Sequence, residues 1–174
     1  NNVYSLGLVV DVDATLTMSE GGTADRFTVT VYNLPAKDAV LLTSAHGDGG
    51  LDITIALGYF DHPTQVFGNH PVMRGRVEEV KRSVAEDGRP TVELIGLEQT
   101  GHALLHRRAA VTVPGSGALD DVVKQLLAGV PDASLTAGSS LGGPVKDFTL
   151  RDGSVLSALA QLAEKADKPL LVGD

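Results

Sequence analysis

Hydrophobic and polar residues alternate with a period of two along much of the first hundred residues. Residues 27–32 read Phe-Thr-Val-Thr-Val-Tyr, and residues 53–57 repeat the alternation. A longer stretch, 72–84, and a returning one, 91–97, are joined by Glu-Asp-Gly-Arg-Pro, which is typical of a β-hairpin turn. Strands at this spacing, without long helices between them, predict an antiparallel β-barrel or sandwich for residues 1–100.

Local signals refine this β region. An apolar run at 6–12 lies within it, and Pro35 opens a short helical stretch at 36–43, where its missing N–H costs little. The sequence His-Gly-Asp-Gly-Gly at 46–50 predicts a loop. A β-bulge is predicted near Gly75 within the long strand.

The hydrophobic period changes to that of a helix after residue 100. Apolar residues recur at i, i+3, i+4, i+7, i+8 and i+11 across 119–130, which predicts an amphipathic helix. Ser116 is its predicted N-cap, and Pro131 is predicted to end it.

A second helix is predicted for residues 154–166. Its inward face consists of five apolar residues at helical spacing: Val155, Leu156, Leu159, Leu162 and Ala163. Short strands are predicted before it, at 145–150, and after it, at 169–172.

These elements divide the chain into two predicted domains within an α+β fold. Residues 1–100 form a barrel-like β domain, and residues 101–174 form a small α/β domain. The second domain contains two strand–helix–strand units, 109–135 and 145–172. Because the chain opens at Asn1 without a methionine and closes on a strand, we expect it to be a fragment of a longer protein or a processed product.

Composition excludes several classes of protein. Of the 174 residues, 43% are hydrophobic and 21% are charged, which indicates a globular chain. No apolar run reaches the roughly 18 residues that span a bilayer. The absence of cysteine excludes disulfides, cysteine-ligated zinc and cysteine nucleophiles. A net charge of −8 without a basic stripe argues against nucleic-acid binding.

Charge is unevenly distributed along the chain. Residues 1–66 carry 2 basic and 8 acidic side chains, whereas residues 67–108 carry 7 and 6. Such runs usually form a solvated surface, but complementary faces also promote contacts between subunits. The basic segment, 67–108, includes Arg74, Arg76, Lys81, Arg82, Arg107 and Arg108.

One sequence matches a hydrolase motif. Residues 138–142 read Gly-Ser-Ser-Leu-Gly, the G-x-S-x-G pattern in which a strand-to-helix turn exposes a nucleophilic serine. Here Pro144 disfavours the required helix, and no histidine follows His106 to complete a triad. The segment is therefore predicted to be a flexible polar loop.

Histidine spacing raises the question of a metal. His102 and His106 are four residues apart and share a face if the segment is helical, but the glutamate of H-E-x-x-H is missing. His62 and His70 are candidates for further ligands of the same ion. Four-ligand spacing is not evident, so no metal site is predicted.

The carboxylates do not form a recognisable active site. Adjacent pairs on a strand point to opposite faces, and the paired aspartates lack the spacing of a calcium loop. The pairs in question are Glu78-Glu79, Asp120-Asp121, Asp48 with Asp52, and Asp11 with Asp13. The sequence therefore predicts no catalytic, cofactor-binding or metal-binding residues.

The order of several short segments resembles a known family. The segments are 27–34, closing in Val-Tyr-Asn-Leu, 51–59, closing in Gly-Tyr, 66–68, 74–78, 88–96, and 148–164 with its Leu-Ala-Glu helix. This order resembles the baseplate hub or tail-tip proteins of tailed phages and contractile injection systems. The late control D proteins and the N-terminal part of type VI spike proteins belong to that group.

The resemblance implies a structural protein rather than an enzyme. Its members assemble as trimers with pseudo-sixfold character and connect the hexameric tail tube to the central spike. It implies tube and spike partners and a place in the virion tail or injection particle, assembled in the bacterial cytoplasm. Two alternatives remain: a carbohydrate- or wall-binding module, disfavoured by 4% aromatic residues, and a hydrolase, for which no spacing provides a site.

Overall fold

Seven strands and four helices make up the described part of the chain, which confirms the α+β class. The structure is a computed structural model that describes residues 11–18, 23–47, 50–56, 71–130, 133 and 143–167. These residues form two compact units. The N-terminal unit contains the described residues up to Thr17 together with Arg26–Glu98, and the C-terminal unit contains Met18–Asp25 and the residues from Gln99 onward.

A five-stranded antiparallel sheet organises the N-terminal unit. Its strand order is β1-β2-β5-β4-β3, and every neighbouring pair is antiparallel. The elements are β1 (Val12–Thr17), β2 (Arg26–Tyr32), α1 (Ala36–Gly47), β3 (Leu51–Ala56), β4 (Pro71–Val84) and β5 (Pro90–Glu98). The strands predicted at 27–32, 72–84 and 91–97, the alternating stretch at 53–57 as far as residue 56, and the hairpin between β4 and β5 are confirmed. Strand β1 was not predicted, and the apolar run at 6–12 lies outside the described residues except for its last two positions.

The described strands do not close into a barrel. Closure requires a ladder between the first and last strands of the order, and β1 and β3 lie at opposite ends of this sheet. The predicted antiparallel strands are present, but no closed barrel is found among the described residues, so the barrel-like arrangement is not confirmed. The alternating pattern specified which side chains enter the core, but this alternation is shared by open sheets and barrels.

Alternation along β2 builds the core of the N-terminal unit. Phe27, Val29 and Val31 are buried, while the intervening residues are half-buried. They pack with inward residues of the neighbouring strands, including Val92, Leu94, Met73, Val77 and Ile55. Phe27 is the largest of these fully buried side chains.

The bulge predicted near Gly75 is present in β4 and lies a few residues after that glycine. Gly75 pairs regularly with Ile53 on one side and Glu98 on the other, and the register shift against β5 falls between Val77 and Glu79. A Cβ at Gly75 would lie 2.3 Å from the Phe27 ring. Glycine is needed here for the close approach of an aromatic ring, which is a second common reason for glycine in a strand.

Helix α1 begins as predicted and ends later. The Pro35 carbonyl accepts hydrogen bonds from Asp38 N (2.9 Å) and Ala39 N (3.0 Å), which starts the first turn. The helix continues to Gly47, so its last turn includes His46, which the loop prediction covered. The central part of that predicted loop, residues 48–49, lies outside the described residues.

Strand-to-helix units form the C-terminal unit. Its elements are α2 (Gln99–His106), β6 (Arg108–Ala118), α3 (Leu119–Leu127), β7 (Pro144–Ser154) and α4 (Val155–Lys165). Strands β6 and β7 pair antiparallel, and each passes directly into a helix. The two predicted amphipathic helices are confirmed, whereas the strand predicted at 169–172 lies outside the described residues.

Helix α3 lacks the predicted serine cap. Ser116 lies in β6, paired with Lys146, and Ala118 occupies the N-cap position without a side-chain hydrogen bond. Strand pairing thus overrides the local capping preference. The helix ends at Leu127, and the Arg107 guanidinium donates hydrogen bonds to the carbonyls of the following residues, Ala128 (3.1 Å) and Gly129. Pro131 lies outside the described residues.

Helix α4 carries a side-chain cap, which yields a first prediction. Ser154 Oγ accepts a hydrogen bond from Ser157 N (3.0 Å), and Ser157 Oγ donates to Ser154 O (2.8 Å). We expect Ser154→Ala to lower the free energy of unfolding by about 1 kcal/mol, because an N–H of the first turn loses its acceptor. Urea unfolding followed by circular dichroism measures the change. Ser154→Asp retains an acceptor and should stay within a few tenths of a kcal/mol of the parent; an equal loss would assign the effect to something other than capping.

Candidate functional site

Polar side chains of the N-terminal unit converge around Arg89. Its guanidinium contacts Asp11 (3.0 Å) and Asp87 (2.6 Å) and lies 4.9 Å from the centroid of the Tyr32 ring. The Tyr32 hydroxyl donates a hydrogen bond to Asp13 (2.9 Å). We call these five residues, Asp11, Asp13, Tyr32, Asp87 and Arg89, the Arg89 cluster.

Backbone geometry places the cluster at one end of the sheet. Tyr32 ends β2, and its N–H donates to Asp11 O (2.8 Å) beside the start of β1. Asp87 and Arg89 belong to the β4–β5 turn, in which Gly88 adopts a φ of +83°. The hydrogen bond from Ala85 N to Arg89 O (2.8 Å) closes that turn. Three separate segments of chain are therefore tied together by one guanidinium.

The electrostatics of the cluster favour a structural ion-pair network over a site for acid–base catalysis. Hydrogen bonds from the Arg89 backbone and side chain hold the pKa of Asp87 below its ordinary value, and Asp87 raises the pKa of Arg89. The hydrogen bond to Asp13 raises the pKa of Tyr32. A general acid or base works best with a pKa near the operating pH, and these shifts move each group away from neutrality.

The cluster yields a second prediction, which concerns pH. The pKa of Asp87 is lower in the folded than in the unfolded chain, so its stabilising contribution is present above the unfolded pKa and is lost as pH falls through the folded pKa. We expect an NMR titration of the Asp87 carboxyl to show a midpoint below that of an ordinary aspartate. Arg89→Gln should raise that midpoint, whereas Arg108→Gln, a matched change in the other unit, should leave it unchanged. An unchanged midpoint in Arg89→Gln would show that the guanidinium does not hold the carboxylate.

Two histidines of the C-terminal unit contact one another. The rings of His102 and His106, on successive turns of α2, have centroids 4.2 Å apart and are inclined by 35°. His102 is half-buried and His106 is exposed. The two histidines share a face only if this segment is helical, and α2 is a helix. The four-residue spacing therefore brings the two imidazoles together.

A cavity of about 300 Å³ lies at the start of β7 in the same unit. Leu119 and Val145 contribute apolar walls, and Lys146 and Lys165 contribute the cations. The Lys165 ammonium donates hydrogen bonds to the backbone carbonyls of Lys146 and Asp147 (3.4 Å for the latter). Because this cation is engaged by the backbone, the arrangement ties α4 to β7 and does not direct the Lys165 charge at a ligand.

Most described members of the other carboxylate pairs lie beside a cation or in the first turn of a helix. Glu78 is half-buried and Glu79 is exposed, as expected for opposite faces of a strand, and Glu79 forms an ion pair with Lys81 (3.1 Å). Asp52 pairs with Arg76 (2.8 Å). Asp120 and Asp121 lie in the first turn of α3, where the helix dipole favours acidic side chains. The G-x-S-x-G segment, Asp48, His62 and His70 lie outside the described residues.

Most cations of the basic segment are engaged within the chain. Lys81 and Arg76 form the ion pairs above, and Arg108 lies 3.4 Å from Asp152. Within the described ranges, Arg74 and Arg82 form no ion pair and are exposed on β4. These two residues are the part of the basic segment best placed for contacts with another molecule.

Sequence reasoning found the members of the Arg89 cluster only in part. It singled out Asp11 and Asp13 as a pair, but it assigned Arg89 to a turn and Tyr32 to a strand. The contact between Asp11 and Arg89 spans 78 residues. The sequence placed Asp11 at a strand end and Arg89 in a hairpin turn. Only the strand order shows that this strand end and this turn lie side by side.

Comparisons with known proteins identify the fold. The sequence matches no family model and no curated protein. The structure is similar to a tail protein from Neisseria meningitidis MC58, with 16% identity and a TM-score of 0.52, over 93% of this chain and 50% of that one. It also aligns with the 43 kDa tail protein of prophage MuSo2 from Shewanella oneidensis, with 12% identity and a TM-score of 0.49, over 90% and 46% of the two chains.

The chain shares its fold with the tail protein from Neisseria meningitidis. At this level of identity the likeness establishes the fold alone. The chain spans about half the length of each of the two tail proteins that it matches. No helix within the described ranges combines the length and the apolar character required to cross a membrane.

Proposed function

We propose that this chain is a structural component of a phage tail or contractile injection system, at the baseplate hub. In this role, three copies form a ring that connects the tail tube to the central spike. The observation that carries the proposal is the fold shared with the Neisseria tail protein over 93% of the chain. The order of short segments that resembles hub and late control D proteins supports the same assignment independently of that comparison.

The N-terminal sheet offers surfaces suited to assembly. Among the described strands, β1 and β3 lie at the two ends of the sheet. An end strand whose backbone groups are not paired within its own sheet can pair with another subunit. The exposed Arg74 and Arg82 add positive charge to a chain whose first 66 residues carry 8 acidic side chains. Such complementarity favours head-to-tail contacts in a ring.

The proposed role is non-catalytic, within the virion tail or injection particle after assembly in the bacterial cytoplasm. The shifted pKa values in the Arg89 cluster support structural use of its carboxylates. The described aromatic residues do not favour the carbohydrate-binding alternative, because Phe27 and Phe148 are buried and the half-buried Tyr32 ring faces Arg89.

Solution mass tests the proposal directly. Light scattering after size exclusion is applied to this chain and to the longest natural form of the protein, at low and high salt. We expect a trimer in the longer form, loosened by salt if the charged faces contribute. A strict monomer of the longer form at high concentration would count against a ring-forming hub.

Charge reversal then locates the contact. Arg74→Glu and Arg82→Glu should weaken the trimer. Each change puts an anion in place of a cation that pairs with no described carboxylate. Arg151→Glu is the matched control, since it makes the same charge change at an exposed position of β7 outside the basic segment. Equal weakening by all three variants would indicate a general charge effect rather than a contact through β4.

A further inference from the structure

We infer that His102 and His106 form a binding site for a divalent transition-metal ion of the zinc, nickel and copper class. Spacing alone predicts no metal here, because four ligands are not evident in sequence. Contact between the two rings changes that inference, since it shows that α2 presents both imidazoles in one place. The inference concerns α2 alone and does not depend on the proposed tail role.

The geometry suits two ligands of one ion. Two nitrogens bound to the same zinc at the usual 2.0–2.1 Å and a tetrahedral angle lie about 3.4 Å apart. A ring nitrogen of His102 lies within 4.8 Å of one of His106. The remaining difference of about 1.4 Å or less is within the reach of small side-chain rotations, which makes movement of the helix backbone unnecessary.

The rest of α2 keeps this face apart from the core. Its buried residues are Gly101 and Leu104, three positions apart, whereas His102 and His106 are four positions apart. At about 100° per residue, the centre of the histidine face lies roughly 150° around the helix from the centre of the buried face. The packing of α2 through Leu104 therefore leaves the imidazoles on another side of the helix.

The chemistry of the ligands selects the class of ion. Neutral imidazole nitrogen suits zinc, copper and nickel, whereas magnesium and calcium prefer oxygen ligands. Two histidines leave the other coordination positions to water or to an additional donor, so the ion is exchangeable rather than a permanent structural zinc. Ala103 stands where H-E-x-x-H carries its catalytic glutamate. The pair is therefore a binding site, and α2 does not itself supply the base for metal-assisted hydrolysis.

Calorimetric titration of the untagged chain with zinc and nickel tests the site. We expect one ion to bind per chain, with magnesium giving no signal at the same concentration. His102→Gln and His106→Gln should each weaken binding on the order of tenfold or more, because even loss of an outer partner of a metal ligand costs about 10–100-fold. His46→Gln, in α1 of the other unit, is the matched control and should bind as the parent does.

Circular dichroism of each variant separates loss of ligands from loss of structure. The ring carbon and nitrogen NMR signals of His102 and His106 should both move on addition of zinc, while those of His46 stay in place. The inference is overturned if zinc does not bind, if both α2 variants bind as tightly as the parent, or if folded His46→Gln loses binding to the same extent.

Discussion

Replacing Gly96 by alanine is expected to destabilise the N-terminal unit by about 3 kcal/mol or more. A Cβ at this position would lie 2.1 Å from the backbone oxygen of Arg76 and 2.5 Å from the Phe27 ring. Gly96 lies within β5, with Phe27 of β2 opposite on one side and Val77 of β4 on the other. Because the nearer obstacle is backbone, a rotamer change cannot relieve the clash, and the two central ladders must separate.

Urea unfolding of the variant, compared with two other glycine variants, measures this effect. Gly47 lies in α1, and a Cβ there would meet nothing within 4 Å, so Gly47→Ala should be neutral or stabilise the chain by up to about 1 kcal/mol. Gly88→Ala also has space but has a φ of +83°, so it should cost about 1 kcal/mol through backbone strain alone. A loss at Gly96 no larger than that at Gly88 would contradict the steric explanation.

Phe27 links the two strand glycines and allows a sharper test. A Cβ at Gly75 would lie 2.3 Å from the Phe27 ring and 2.8 Å from Leu97 O, so the ring is the nearest obstacle there. Phe27→Ala should therefore offset more of the cost of Gly75→Ala than of Gly96→Ala. Double-mutant cycles measure the two coupling energies, and equal values would show that the ring does not distinguish the two positions.

Local patterning predicted most of the secondary structure because the relevant signals are local. The alternation at 27–32 and the helical spacing at 119–130 each reflect which side chains face a core, and both elements are present. The bulge predicted near Gly75 is present between Val77 and Glu79, whereas Gly75 itself serves the close approach of the Phe27 ring. The cap predicted at Ser116 was wrong because pairing of β6 with β7 extends past it.

The functional surfaces were harder to predict because they depend on long-range order. The Arg89 cluster joins residues 78 positions apart, and neither the alternation nor the turn sequence specifies that β1 begins beside the β4–β5 turn. The histidine pair is the opposite case. Its four-residue spacing was visible, but the significance of the pair depended on α2 being a helix with its buried face elsewhere.

Leu162→Ala is expected to destabilise the C-terminal unit by about 2–5 kcal/mol. Leu162 is 1% exposed and belongs to the buried face of α4, with Val155, Leu156 and Leu159. Truncation removes apolar contacts and leaves a cavity that the surrounding helices and strands fill only in part. Gln161→Ala, at the exposed neighbouring position in the same helix, should change stability by no more than about 0.5 kcal/mol.

Where this loss appears also tests the proposed division near residue 100. If residues 1–100 and 101–174 are separate domains, native-state hydrogen exchange of Leu162→Ala should accelerate at α4 amides and leave β2 and β5 amides unchanged. Gly96→Ala should show the reverse pattern. A single cooperative transition, in which both variants accelerate exchange equally in β2 and α4, would mean that the two compact units unfold as one. Such a result would remove the basis for treating the β region and the strand–helix region as independent modules.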